Sequence, residues 1–264
     1  MENILLPNKI SITPGKNKNE ATLTVEPCYQ GYGTTIGNAL RRVLLSSLPG
    51  AACYAVKIKN AEHEFSTLTG VKEDALEITL NLKQLRLRVF SDEPVRLILK
   101  AKGEGVVKAK DIEKNADVEI VNSDLHIAQI TDKNIELDME IFVNRGRGYV
   151  PIEERDKSSL EVGTIALDAV YSPIINVGYK VENTRVGEIT NYDKLILMLE
   201  TDGTIKPEEA IDQVLKTLLD HFTVVLTRGV PPKPEMPNIE IKPAEEEDKK
   251  PEKKKAVKKS TKKK

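Results

Sequence analysis

The chain has 264 residues, 39% hydrophobic and 31% charged, which is enough for one large core or two modest ones. No apolar run approaches the roughly 20 residues needed to span a bilayer, and the opening MENILLPNKI lacks the plan of a signal peptide, so a cytoplasmic protein without a membrane partner is expected. The net charge of −1 hides a split: residues 229–264 hold twelve Lys and seven acidic side chains, a tail of net +5 on a body of net −6.

In chain order, the first clear element is a helix in GYGTTIGNALRRVLLSSLPG, residues 31–50. Thr34 or Thr35 is its expected cap, and Pro49-Gly50 ends it after Leu48. At about 100° per residue, Ile36, Ala39, Leu40, Val43, Leu44 and Leu48 form one apolar arc. Leu45 falls nearly opposite its centre, with Asn38, Arg41 and Arg42 around it. A single exposed leucine is common. An apolar knob edged by guanidinium groups is also the composition of an interface hot spot. The residues alone leave both readings open. The glycines suggest a phosphate loop, but Gly31, Gly33 and Gly37 do not fit Gly-x-Gly-x-x-Gly, no βαβ unit surrounds them and no Lys-Ser/Thr follows. A sharp strand-to-helix turn is the better reading.

Period-two alternation then predicts strands. The inward sets are Leu76, Ile78, Leu80 and Leu82; Leu85, Leu87 and Val89; Val95, Leu97, Leu99 and Ala101; and Ile135, Leu137, Met139, Ile141 and Val143. Later sets are Val177, Tyr179 and Val181, then Leu195, Leu197 and Leu199. Short Gly, Pro or Asp links between consecutive strands imply mainly antiparallel sheets. Arg145 and Arg147 in NRGRGYVP lack a repeated Arg-Gly-Gly and predict a structured turn rather than an RNA-binding element.

A second helix is predicted over 206–226, with Pro207 at its first position and Glu208 and Glu209 in its first turn. Ile211, Leu215, Leu218, Phe222 and Val225 follow at heptad spacing, widened by Val214, Leu219 and Leu226, a stripe broad enough for more than one neighbour. Beyond it, Pro231, Pro232, Pro234, Pro237 and Pro243 and a lysine-rich end predict a disordered tail over 229–264. Cys28 and Cys53 have no metal-ligand spacing, and His63, His126 and His221 are scattered, so no metal site is expected.

Seven stretches in register carry a resemblance: GYGTTIGNALRRVLLSSLPGAA, HEFSTLTGVKEDALEITLNLK, NRGRGYVP, DAVYSP, YKVENTRVG, NYDKL and TDGTIKPEEAI. Together they closely resemble the N-terminal domain of bacterial DNA-directed RNA polymerase alpha subunits, over nearly all of residues 1–228. The resemblance implies an α+β fold of two subdomains. A discontinuous dimerisation subdomain is expected over 1–48 and 166–228, and a mainly β insert over 49–165. It also implies a homodimer that serves as assembly platform for the beta and beta-prime subunits, with omega and sigma in the holoenzyme. No catalytic residue, cofactor or metal is then expected in this chain, because the catalytic magnesium belongs to beta-prime.

The resemblance further implies large-subunit contacts at Arg42, Leu45, Lys83, Asp168 and Lys194, and a dimer interface including Leu40, Leu44, Ile211, Leu215, Leu218 and Phe222. Two departures stand out. Asn176 in SPIINVGY occupies a place where many members carry Arg or Lys. The proline- and lysine-rich tail stands where many members have a helical C-terminal domain that binds promoter DNA. Its Lys253, Lys254, Lys255, Lys258 and Lys259 are candidate contacts to upstream promoter DNA near the nucleoid, each phosphate neutralised steepening the salt dependence by about 0.9. Two other function classes compete on the residues: an enzyme binding nucleotide at Gly31, Gly33 and Gly37, and a free-standing nucleic-acid-binding protein using the tail.

Overall fold

A computed structural model describes residues 4–155 and 161–229; the five candidate lysines of the tail lie outside them. In chain order it holds strands β1 (Lys9–Pro14) and β2 (Glu20–Cys28), helix α1 (Tyr32–Ser46), β3 (Pro49–Ile58), α2 (Ala75–Lys83), β4 (Leu87–Val89), β5 (Val95–Lys102), β6 (Gly105–Lys108), β7 (Val118–Ile120) and β8 (His126–Ile130). There follow β9 (Glu136–Arg147), β10 (Tyr149–Val150), β11 (Thr164–Ala166), β12 (Ala169–Val170), β13 (Ile174–Val186), β14 (Ile189–Thr201) and α3 (Pro207–Leu226). The fold is α+β. The chain divides after Phe222 into two compact units, and the described sheets and cores all belong to the first.

Two four-stranded antiparallel sheets organise that unit, in the orders β1-β2-β14-β13 and β11-β3-β9-β5. Alternation explains them. On β9, Leu137, Met139, Ile141 and Val143 are buried while Asp138 and Glu140 face outward. Ile141 registers with Val56 of β3 on one side and Leu97 of β5 on the other, and Met139 and Val143 likewise meet apolar neighbours on both flanks. This sheet, with α2, β4 and β8, builds a core cluster drawn from residues 53–167. A second cluster combines Leu23 and Val25 of β2, Leu40 and Leu44 of α1, Leu195, Leu197 and Leu199 of β14, and Ala210, Ile211 and Val214 of α3.

Three predicted elements are corrected. Arg145 and Arg147, expected in a turn, lie in strand β9 because they pair with Ala51 and Pro49 of β3, and the turn comes at Gly148. The stretch expected to be a strand at 76–82 is helix α2. Asp74 caps it, accepting the Glu77 N–H at 2.7 Å, and Ala75, Ile78, Thr79 and Leu82 are its buried residues. That spacing of three, one and three is a helical face, so Leu76 and Leu80 point outward, 36% and 49% exposed. The start of α1 also differs, since neither Thr34 nor Thr35 caps it. Gly31 is the cap residue, at φ 84° and without a side-chain bond of its own. The Asp193 carboxylate of β14 accepts the Gly31 and Gly33 N–H groups at 2.9 and 3.1 Å. A group 160 residues distant in sequence satisfies the orphan amides of the helix end.

Candidate functional site

The glycines of α1 determine which of its faces remains outside. A Cβ on Gly33 would stand 2.9 Å from Asp193 Cβ, and one on Gly37 would stand 2.7 Å from the Tyr179 ring and 2.8 Å from Leu195. These positions let the helix lie close on β13 and β14, and Leu40 and Leu44 continue the same contact. The face turned away carries Asn38, Arg41, Arg42 and Leu45, all exposed. Arg41 is tied back, its Nε donating to the Val177 carbonyl at 3.2 Å. The Arg42 guanidinium takes no partner among the described residues, and beside it Leu45 is 37% exposed.

The same geometry counts against the nucleotide reading of Gly31-Gly33-Gly37. The amides that would cradle a phosphate already hold a carboxylate of the chain itself.

Lys83 and Asp168, 85 residues apart in sequence, form an ion pair at 2.9 Å. Lys83 lies in the last turn of α2, where a cation suits the helix dipole. Asp168 also accepts the Ile152 N–H at 3.1 Å. The Lys83 hydrogen bond, against the opposing effect of burial, holds the Asp168 carboxyl below its ordinary range. The pair's contribution is therefore complete above the ordinary carboxylate range and lapses as pH falls through the depressed value. Two residues on, Val170 pairs with Tyr149, and both are exposed. The preceding turn residue Gly148, at φ 65°, abuts the end of α1, a Cβ there lying 3.6 Å from the Ser46 carbonyl. Neighbour by neighbour, Arg42 and Leu45 are thereby linked to Tyr149, Val170, the Lys83–Asp168 pair and Leu80.

Lys194 stands elsewhere. It bridges to Glu26 at 3.5 Å, a carboxylate also held by Lys9 at 2.6 Å. The Lys9 hydrogen bond, opposed by burial and helped by Lys194, keeps the Glu26 carboxyl low. Asn176 is exposed on β13.

The residues expected at a dimer interface divide. Leu40, Leu44 and Ile211 are 3%, 0% and 2% exposed within this chain's own core. Helical spacing places them on the arcs that pack against the chain's own sheet. Leu215 and Phe222 are exposed, and Leu218 is half-buried against the core. Leu219, exposed as well, widens that outward stripe.

Other chemistry-bearing residues make contacts within the chain. Cys28 and Cys53 are buried free thiols, and burial pushes Cys53 up to about 12. His126 lies 2.8 Å from Glu73, whose carboxyl burial raises but the Gln129 N–H and His126 together lower. Arg145 pairs with Asp92 at 2.8 Å, while Gly146 makes room for the Tyr171 ring. Among the described residues no cluster of three His, Cys, Asp or Glu is placed to hold a metal, and no described helix is long and apolar enough to cross a membrane.

Residues 56–172 match the family described as RNA polymerase Rpb3/RpoA insert domain. The DNA-directed RNA polymerase subunit alpha of Alkaliphilus oremlandii is 48% identical over 227 residues, 86% of this chain and 70% of that protein. The subunit of the same name from Clostridium perfringens is 50% identical over 226 residues, again 86% and 70%. The chain belongs to the bacterial RNA polymerase alpha subunit family. A third relative, from Oceanobacillus iheyensis, is 45% identical over 244 residues, covering 92% of this chain and 76% of its own length. The free-standing nucleic-acid-binding alternative finds no support among these relatives.

Proposed function

We propose that the chain is a non-catalytic assembly subunit of a DNA-directed RNA polymerase: two copies pair, and the pair seats the large beta and beta-prime subunits. Omega and sigma complete the holoenzyme at the nucleoid, and the catalytic magnesium belongs to beta-prime. The observation that carries the reading is the outer flank of α1. Folding leaves the Arg42 guanidinium, unpaired among the described residues, and Leu45 exposed on a helix whose opposite face buries Gly33, Gly37, Leu40 and Leu44. Lys83 and Asp168, with exposed Leu80, Tyr149 and Val170, extend that flank, and Lys194 offers a separate polar contact. The outward stripe of α3 supports pairing. Leu215, Leu219 and Phe222 are 41%, 58% and 63% exposed, so burying what remains is worth about half of the 1.5–3 kcal/mol of a full side chain each, and a two-fold interface uses each of them twice. That total offsets an association cost of about 4–15 kcal/mol.

Co-purification tests the reading. A tagged chain is expected to bring down a large polymerase subunit, and Arg42→Ala is expected to reduce that yield at least about tenfold, as for a hot-spot arginine, while leaving the paired mass intact. Wild-type recovery with Arg42→Ala would contradict the assignment.

A further inference from the structure

Helix α3 is held mainly by its first half, with Leu218 the one later residue packed against the core among those described. Its buried residues are Pro207, Ala210, Ile211 and Val214, all in the first half of the helix. The outward stripe begins at Leu215, and Phe222 is 63% exposed. At about 1.5 Å per residue, Phe222 lies about 22 Å along the axis from Pro207. A rotation of about ten degrees at the base would carry it about 4 Å, enough to misplace a packed interface.

The base is held by a turn that the opposite core cluster grips. Leu87 and Val89 of β4 are buried in the cluster of residues 53–167, so alternation turns Arg88, between them, the other way. Its guanidinium donates from Nε to the Thr204 carbonyl at 2.6 Å and from Nη2 to the Gly203 carbonyl at 3.3 Å. Its remaining arm reaches Glu119 at 3.2 Å. Within the turn, Gly203 adopts φ 89°. Asp202, its side chain 6% exposed, accepts the Thr204 N–H at 2.9 Å, while its own N–H donates to the Pro173 carbonyl at 3.0 Å. Arg86 stands 4.0 Å from the Asp202 carboxylate. Ile205 then packs into the second cluster, and helix α3 begins.

We infer that Arg88 is a positioning residue for pairing: its two-carbonyl grip on the 203–204 turn fixes the direction of α3, and with it the presentation of Leu215, Leu219 and Phe222, without touching the second copy. A planar fork suits two neighbouring carbonyls, whereas a lysine ammonium offers a point charge. The inference rests on the pairing reading above.

Sedimentation and amide hydrogen exchange on the full chain test it together, with Arg88→Ala, Arg88→Lys and Glu119→Gln beside wild type. Arg88→Ala is expected to raise the dimer dissociation constant about tenfold, which is about 1.4 kcal/mol. Arg88→Lys is expected to fall between the two, and Glu119→Gln to match wild type. Exchange in Arg88→Ala is expected to quicken at residues 205–214 and stay unchanged at Leu97, Leu99, Met139 and Ile141. Wild-type dissociation and exchange in Arg88→Ala would overturn the inference. So would equal quickening in β5 and β9, which would make Arg88 a general support of the fold. A wild-type chain that stays monomeric would instead overturn the pairing reading, and exchange at 205–214 would still decide whether Arg88 braces the helix.

Discussion

Phe222→Asp is expected to convert the paired chain to a monomer at micromolar concentration while leaving the folded chain intact. Phe222 is 63% exposed in the single chain, so its replacement removes little that the monomer buries. In a two-fold interface the substitution enters twice. Each copy loses an aromatic anchor whose remaining exposed surface is worth about 1–2 kcal/mol and places a carboxylate where desolvation costs several kcal/mol more. Even about 3 kcal/mol in total weakens association roughly a hundredfold. Light scattering checks the mass against the 29.4 kDa of one chain, and circular dichroism checks the fold. Asp220→Ala, about 200° away around the helix, is the control expected to keep the paired mass. A Phe222→Asp protein that remains paired would remove the outward stripe of α3 from the interface.

Gly50→Ala is expected to have the largest effect on stability among single-methyl changes in this chain. A Cβ at Gly50 would lie 1.9 Å from the carbonyl oxygen of Tyr171, and that neighbour is backbone, unable to rotate away. The strand partner of Gly50 on β9 is Gly146, where a Cβ would stand 2.7 Å from the Tyr171 ring. The two facing glycines accommodate Tyr171. Its hydroxyl donates to Asn144 at 2.7 Å and accepts from Arg155 at 2.8 Å, and its backbone N–H is fixed to Gly148 at 2.8 Å. Relief requires moving β3 or the 171 segment, at a cost on the order of 3 kcal/mol, a large share of the 5–15 kcal/mol typical of a domain. Gly178→Ala is the contrast. Its Cβ would meet Met198 at 3.7 Å, an ordinary contact, and the loss of unfolded-state freedom is expected to stabilise by about 0.4–1 kcal/mol. Urea denaturation of the two variants measures the difference, and equal midpoints would contradict the packing account.

The strands were legible where one face is buried along their length. The alternating set of β14, and that of β9 from Leu137 on, are those found inside, with Ile135 half-buried just before the strand, because a slip of one residue would turn every apolar side chain to solvent. The start of α3 at Pro207 was legible from local chemistry alone. Helix α2 was not, because Leu76, Ile78, Leu80 and Leu82 satisfy period two while Ala75, Ile78, Thr79 and Leu82 satisfy the helical face. The deciding signal was the Asp74-x-x-Glu77 start, a capping pattern, and following it would have exposed Leu76 and Leu80 as surface residues. The cap of α1 by Asp193 and the Lys83–Asp168 pair join residues far apart in sequence, so no local pattern announces them. On α1 the helical wheel placed Leu45 and Arg42 outward, and they are. The same wheel placed Leu40 and Leu44 on the apolar arc, yet it does not say whether that arc meets a sister chain or the chain's own sheet.

Amide hydrogen exchange of the full chain, alone and with a large subunit of the same polymerase, tests the central claim most directly. The outer flank of α1 and its neighbours are held to be the seat, apart from the pairing stripe of α3. Slowed exchange is expected at residues 38–46, 80–83, 149–152 and 168–170, with no change across 215–222. Exchange unaltered at 38–46, or slowing confined to 215–222, would contradict it.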